Sequence, residues 1–385
     1  MPKILFITCI IGIVGYVLYQ RGYIPRVAIG PQGENATLTH VKNIIEVDIG
    51  RNNEFIVNED QLVWVTGDGI KALSLEGEEL WADTHTMQNI AITQRMPYFA
   101  VSEKMGRTVS IFDTRGKKAD IKFANPVVYF SMNKRGDIVV IEKTKDGHVV
   151  SGYDEKGNSL GVKRITYVQD AGYPTVAEIS PDGKVILVSY LNTNDAQMVS
   201  NVIAIAIGGD GSAKVDSILY GTTYANTVLS EIEFINEKVW VAIGDNGISF
   251  NTLAGEEIKK VQETYSNYVS ILDRLTDWQG ANYAAISSTK PIRSTVHPVE
   301  TLVLYSQEGE MVTEVTLDSP ATYLYGDGKT IIMGNDRMFT AYNRLGKKRW
   351  EYTATKDIQK VIPLYPQQQV IMISKGMVEL MQVAK

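Results

Sequence analysis

The chain has 385 residues, 44% of them apolar and 21% charged, with a net charge of −6. That composition is enough for a large folded core. Its acidic balance excludes a generic nucleic-acid binder, which needs a basic stripe to displace counterions. The basic runs are short, as at Lys117-Lys118 and Lys259-Lys260, and read as solvated turns. Cys9 is the single cysteine, so no disulfide framework can form within the chain.

In chain order, residues 1–3 form a short tail, and Ile4 to Tyr19 (ILFITCIIGIVGYVLY) carry no charge. At 1.5 Å per residue these span about 24 Å, and Gln20 and Arg21 extend the reach. Residues 4–20 are therefore expected to be a single-pass transmembrane anchor, with Tyr16, Tyr19 and Tyr23 near the interfaces. A cleaved signal peptide is the alternative, but Val17–Arg21 offers no small-residue cleavage site. A lipoprotein signal fits less well, because Thr8 rather than a small residue precedes Cys9. Flanking charges are nearly balanced: Lys3 lies before the segment, Arg21 and Arg26 after it. The short tail ahead of one anchor favours an exported large domain. Residues 21–41, with Pro25, Gly30, Pro31 and Gly33, read as a stalk.

From residue 42 to 385, short Val- and Ile-rich runs dominate: QLVWVTG, YFAVSE, DIVVIEK, KVILVSY, KVWVAIG, KTIIMGN and QVIMISKG. Each is bounded by turn residues, which is strand chemistry. Groups of strands end alike, in an apolar residue, a polar turn with glycine, and a second apolar strand. Examples are Ala72–Trp81, Gly152–Gly157, Leu304–Gly309 and Ala341–Trp350. The turn glycines Gly77, Gly116, Gly157, Gly211, Gly255, Gly309 and Gly346 are separated by 39, 41, 54, 44, 54 and 37 residues. A period near 40 residues with four strands per period predicts an all-β propeller of four-stranded antiparallel blades. The last three strands, near 358–364, 369–374 and 377–383, lack a fourth. The strand Lys42–Ile49 (KNIIEVDI) is expected to supply it and close the ring, giving eight blades. Seven is the alternative if the degenerate copy at Gly208–Gly211 is not a hairpin. Trp81 and Trp350 are expected to pack between neighbouring blades.

The turn Asp/Asn-x-x-Gly-x-x-x-Trp, best matched at Ala341–Trp350, resembles the quinoprotein-like (PQQ-like) propeller repeat. Ser180-Pro181-Asp182-Gly183 resembles the turn of other, WD40-like repeats. One anchor joined to such a propeller is similar to a group of membrane-anchored propeller proteins of Gram-positive bacteria. The resemblance covers roughly residues 42 to 385 and implies a fold, since propellers host unrelated activities. Quinone-dependent members hold their cofactor with a vicinal cysteine pair, which this chain cannot form. No cofactor is therefore expected.

The histidines His40, His85, His148 and His297 are far apart, and none has metal-ligand spacing. Gly247–Asn251 lacks the second glycine of a serine-hydrolase elbow. Gly67-Asp68-Gly69 and Gly326-Asp327-Gly328 read as hairpin turns rather than calcium loops. No catalytic motif is found, so no enzyme is expected. The two long periods place extra residues at Leu191–Asn201 and Ser288–Val299, between the second and third strands of their blades. Loops on a rigid scaffold concentrate binding residues, so Asn192, Asn194, Gln197, Lys290, Arg293 and His297 are candidates for contacting a partner. The expected function is a membrane-anchored, extracytoplasmic, monomeric propeller serving as a protein-interaction scaffold or sensor for envelope proteins. A surface carbohydrate-binding protein or hydrolase using the propeller mouth is the alternative. Converging carboxylates at the mouth favour the alternative, and a plain polar funnel favours the scaffold.

Overall fold

The computed structural model describes residues 36–46, 53–193, 198–208, 217–245, 247–261, 271–277, 280–287, 299–326, 330–343, 345–364 and 368–384. Its strands form eight four-stranded antiparallel sheets. Seven are simple meanders, within residues 54–84, 90–122, 127–167, 173–225, 229–261, 271–321 and 323–353; these are blades 1 to 7. Blade 8 combines Ile358–Leu364, Gln369–Ser374 and Met377–Ala384 with Thr37–Glu46, which pairs along the outer side of Met377–Ala384. The segment around Gly208 joins Val199–Ala206 to Ile218–Ala225 inside a complete blade, which removes the reason for counting seven.

Packing explains why the runs are continuously apolar. Among the described residues, eight buried clusters each join one pair of consecutive blades, and the cluster between blades 8 and 1 completes the circle. Side chains of a strand alternate between its two faces. In Val185–Asn192, Val185 and Leu187 enter the cluster with blade 5, while Ile186 and Val188 enter the cluster with blade 3. Gln369–Ser374 does the same: Val370 and Met372 face blade 7, and Ile371 and Ile373 face blade 1. A strand buried on both faces has no polar face to show, so its sequence reads as an unbroken apolar run.

The closing strand begins at Thr37, earlier than the expected Lys42, and its described part ends at Glu46. Thr37 pairs with Ala384, and Glu46 with Met377. Leu38 enters the cluster between blades 7 and 8, and Ile44 that between blades 8 and 1. Irregularities at His40/Lys42 and Asn43/Ile45 break the alternation that would have marked the strand in the sequence.

Third-to-fourth-strand turns share one device. Asp154 Oδ1 accepts from the N–H groups of Lys156 (2.9 Å) and Asn158 (2.7 Å). Ser74, Ser306 and Asn343 accept in the same pattern. The glycine at the turn's end takes positive φ, +83° at Gly157, where a Cβ would lie 3.2 Å from Ile121 Cγ1. Gly157→Ala is expected to cost about 1–2 kcal/mol, read as a lower denaturant midpoint with an unchanged slope. Trp81 stacks on Phe112 and Phe99 of blade 2, and Trp350 lies in the cluster between blades 7 and 8.

The ring has two faces. First-to-second-strand turns lie on one, here the near face; second-to-third-strand turns and the links between blades lie on the other, the far face. The closing strand starts on the near face, because Thr37 pairs with Ala384, and Val383 bonds back to Gln368 beside the first-to-second-strand turn. Residues 4–20 lie outside the described residues. Among the described residues no helix is long and apolar enough to cross a membrane.

Candidate functional site: the axial mouth

The first strand of each blade lines the axis of the ring. Its penultimate residue is Gln94 in Ile90–Arg95, Ser131 in Val127–Met132, Glu178 in Tyr173–Ile179 and Glu233 in Leu229–Phe234. Two of these side chains join consecutive blades: Gln94 Nε2 donates to the Val57 carbonyl (2.6 Å), and Ser131 Oγ to the Ala177 carbonyl (2.7 Å). Elsewhere on the axis the Tyr323 hydroxyl bridges both backbone groups of Val361 (2.9 Å each), and Lys360 binds Glu54. From the last position of its strand, Arg95 of blade 2 reaches Glu233 of blade 5 at 2.9 Å.

Glu178 is 9% exposed. Burial pushes its carboxyl up to about 8; the Arg95 guanidinium opposes this, while the charges of Glu233 and Glu231 add to it. The adjacent Tyr129 phenol is raised as well, by burial first and then by Glu178 and Glu231. At neutral pH Glu178 is therefore a protonated carboxylic acid beside the ionised Arg95–Glu233 pair.

Protonation makes stability depend on pH. The folded state holds the Glu178 proton more tightly than the unfolded state, whose ordinary value is 4.5. Its contribution is complete below that value and is lost as pH rises toward 8. Glu178→Gln cannot ionise, so its stability relative to wild type should rise between pH 5 and pH 8, by on the order of 1 kcal/mol per pH unit. Urea denaturation at four pH values reads this; parallel curves for the two proteins would contradict it.

Two turns form the wall on the near face. In Ser180-Pro181-Asp182-Gly183 the Ser180 Oγ donates to Asp182 Oδ1 (2.7 Å) and accepts from the N–H of Lys184 and Val185. In the equivalent turn of blade 3, Asn133 Nδ2 donates to the Ser180 carbonyl (2.9 Å), and Arg135 donates to the Asp182 carbonyl (2.9 Å). Beside these stitches a small mouth opens to solvent, lined by Arg95, Glu178 and Glu233 with Asn133, Lys134, Met132, Ile179, Pro181 and Phe234.

The residues proposed from loop lengths point elsewhere. The strands that flank the two insertions, Val185–Asn192 with Val199–Ala206 and Gly280–Ser287 with Val299–Ser306, are second and third strands, and their facing ends lie on the far face. Asn192 ends its strand opposite Val199. Asn194, Gln197, Lys290, Arg293 and His297 lie outside the described residues. Near Asn192 the far face carries the short helix Val168–Ala171 and three exposed side chains, Tyr167 (55%), Tyr173 (47%) and Met198 (52%).

Among the described residues no three His, Cys, Asp or Glu side chains converge as metal ligands. His40 bonds Asn43 (2.9 Å), His85 bonds the Thr66 carbonyl (3.2 Å), and His148 is buried against Tyr173; His297 lies outside the described residues. Thr66 Oγ1 caps the Gly67–Gly69 turn as a hairpin. Sequence reasoning missed Arg95, Glu178 and Glu233. The available signal was a polar residue at one fixed position of successive first strands, visible only after the blades are aligned.

Eight sheets in a closed ring around a polar axis define a β-propeller. The chain belongs to the family described as "Family of unknown function (DUF5711)", whose family model matches residues 33–383. Its fold is similar to that of the computationally designed Ika8 protein, at 13% identity and a TM-score of 0.56, over 88% of this chain and 99% of that one. It is also similar to BamB from Moraxella catarrhalis, at 13% identity and a TM-score of 0.50, over 90% of this chain and all (100%) of that one. At such identities the likeness is one of fold alone. Among curated proteins none matches the chain in sequence.

Proposed function

We propose that the protein is a propeller tethered to the membrane by residues 4–20, with its ring outside the cytoplasm, where it serves as an interaction scaffold or sensor for envelope proteins. The observation that supports this reading is the position of Thr37, the first residue of the closing strand, on the near face. The closing strand begins on the near face, so a tether there leaves the far face turned away from its attachment. That face bears the strand ends that flank both insertions, together with Tyr167, Tyr173 and Met198. Exposed aromatic and methionine side chains are favoured at protein interfaces. The turn Asn343–Trp350 supports a place among quinoprotein-like repeats, and the uncharged N-terminal segment supports the group of anchored Gram-positive propellers it resembles. The reading includes no catalysis and no cofactor.

Photo-crosslinking from positions 173 and 198 in native membranes tests it. Defined envelope proteins should be captured, and replacing Lys290, Arg293 and His297 together with alanine should weaken that capture. Capture of nothing from either position, or capture indifferent to the triple substitution, rejects the far-face reading. Protection of the ring from external protease in intact spheroplasts would reject its placement outside.

A second reading has its own observation. The mouth is not a plain polar funnel: burial pushes the Glu178 carboxyl up to about 8, while Glu233 pairs with Arg95, and acid–base pairs likewise set two carboxyls in different surroundings. A surface hydrolase built on this pair would turn over glycoside substrates and lose that turnover in Glu178→Gln. The scaffold reading is preferred because Arg95 already engages the Glu233 carboxylate.

A further inference from the structure

Cations are unevenly matched in blades 2 and 3. Arg115 and Lys118 pair with Asp113, Lys117 with Asp83 and Asp120, Arg135 with Asp137, and Lys156 with Glu155. Lys104, Arg107, Lys122, Lys143 and Lys145 of the same two blades are exposed and enter no ion pair among the described residues. All five stand at the far face. Lys104 and Arg107 lie in the second-to-third-strand turn of blade 2, and Lys143 and Lys145 at that of blade 3. Lys122 ends the fourth strand of blade 2, opposite Thr108.

Main-chain hydrogen bonds stitch both turns to the link between the blades. The Val127 N–H donates to the Gly106 carbonyl (2.7 Å), the Phe123 N–H to the Arg107 carbonyl (2.8 Å), and the Lys143 N–H to the Pro126 carbonyl (2.9 Å). Two carboxylates at this border are engaged within the ring. Glu103 accepts from the Gln88 N–H (3.0 Å), and Glu142 from the Asn125 N–H and side-chain amide (3.2 Å each). Asp146 and Asp170 are exposed beside them. Between Lys104 and Arg107 stands Met105, exposed, with a φ of +63°. Few residues other than glycine adopt that conformation, and those that do cluster at binding sites. Val128, also exposed, adjoins the turn through the Val127–Gly106 bond.

We propose that this part of the far face docks an acidic segment of a partner protein, its carboxylates against Lys104, Arg107, Lys122, Lys143 and Lys145 and an apolar side chain against Met105. This deepens the scaffold reading and rests on it for one point, that the occupant is a protein. Charge complementarity selects the occupant: the cations lack partners here, while the neighbouring carboxylates Glu103 and Glu142 are held by N–H donors. An anionic membrane surface fits less well, because the chain as a whole carries a net charge of −6 and such a surface repels it. An exposed methionine adapts its shape to an apolar side chain.

Selection from a phage library of random short peptides tests the proposal, with the full chain in phosphatidylcholine nanodiscs as bait. Selected peptides should be rich in Asp and Glu interspersed with apolar residues. Their binding should weaken about tenfold or more between about 50 and about 500 mM salt. It should be lost when Lys104, Arg107, Lys143 and Lys145 are together replaced by glutamate, all four being exposed positions. Met105→Gly should weaken it as well without lowering the denaturant midpoint, since glycine accepts the positive φ. Peptides without acidic excess, or binding unchanged in either variant, overturn the proposal and leave far-face crosslinking to judge the scaffold. Acidic selection alongside a failed crosslinking experiment keeps the patch and counts against the scaffold. Flotation of the nanodiscs with separate phosphatidylglycerol vesicles, abolished by the charge reversal and with no acidic excess among the peptides, would assign the patch to a membrane surface and overturn it too.

Discussion

A chain beginning at Asn53, and so lacking the closing strand, is expected to aggregate or to melt about 6 °C below one beginning at Ala36. Three losses combine. Leu38 leaves the cluster between blades 7 and 8, and Ile44 leaves that between blades 8 and 1. Burial of side chains of this size contributes about 1.5–3 kcal/mol each. The backbone groups of Met377–Ala384 that pair with Thr37–Glu46 become an open edge, which invites pairing with other chains. Against a net stability of about 5–15 kcal/mol, a loss of about 4 kcal/mol lowers the midpoint of a ring this size by about 6 °C. Size-exclusion chromatography and thermal unfolding of the two truncations read the difference. Equal midpoints would mean that the ring does not depend on its first strand.

The second large effect belongs to Trp240. It is fully buried between blades 4 and 5, and its Nε1 donates to the Thr252 carbonyl at 3.0 Å. Trp240→Ala removes the largest fully buried side chain among the described residues and leaves that carbonyl with one donor, the Gly255 N–H, instead of two. A loss of about 3–5 kcal/mol follows from the cavity, with about 1 kcal/mol more from the hydrogen bond. Trp240→Phe keeps most of the packing and isolates the second part. Trp81→Ala should cost less, because Trp81 is partly exposed although it stacks on Phe112 and Phe99. Denaturant midpoints of the three variants should rank Trp240→Ala lowest.

Much of the ring is legible in the sequence because its physics is local. A strand between two neighbours is apolar on both faces, so runs such as Val185–Tyr190 announce themselves. Turns that need positive φ fix glycine at Gly77, Gly157, Gly255, Gly309 and Gly346, and those glycines carry the period. Closure is also legible, as an unpaired strand at each end of the repeat. The true start of the closing strand is not, since its irregular pairing puts Leu38 and Ile44 out of alternation.

The mouth is hidden for a different reason. Arg95 and Glu233 stand 138 positions apart and meet only because the ring brings the inner strands of blade 2 and blade 5, three blades on, to a common axis. The penultimate position of the first strand is filled by Gln94, Ser131, Glu178 and Glu233 in successive blades. No repeated residue type marks it, and only the shared register does. Loop length drew the sequence reading to the far face instead, where one of the six proposed residues, Asn192, lies among the described residues.

Ring closure can be tested by a single cross-link. Thr39 and Gln382 are direct cross-strand partners at opposite ends of the chain, and paired strands place such Cα atoms within disulfide reach. In a Cys9→Ser background, Thr39→Cys with Gln382→Cys should oxidise to an intrachain disulfide, seen as a faster-migrating band without reductant and a linked peptide by mass spectrometry. Two free thiols in the folded monomer, or linkage only between chains, would contradict a ring joined through its first and last strands.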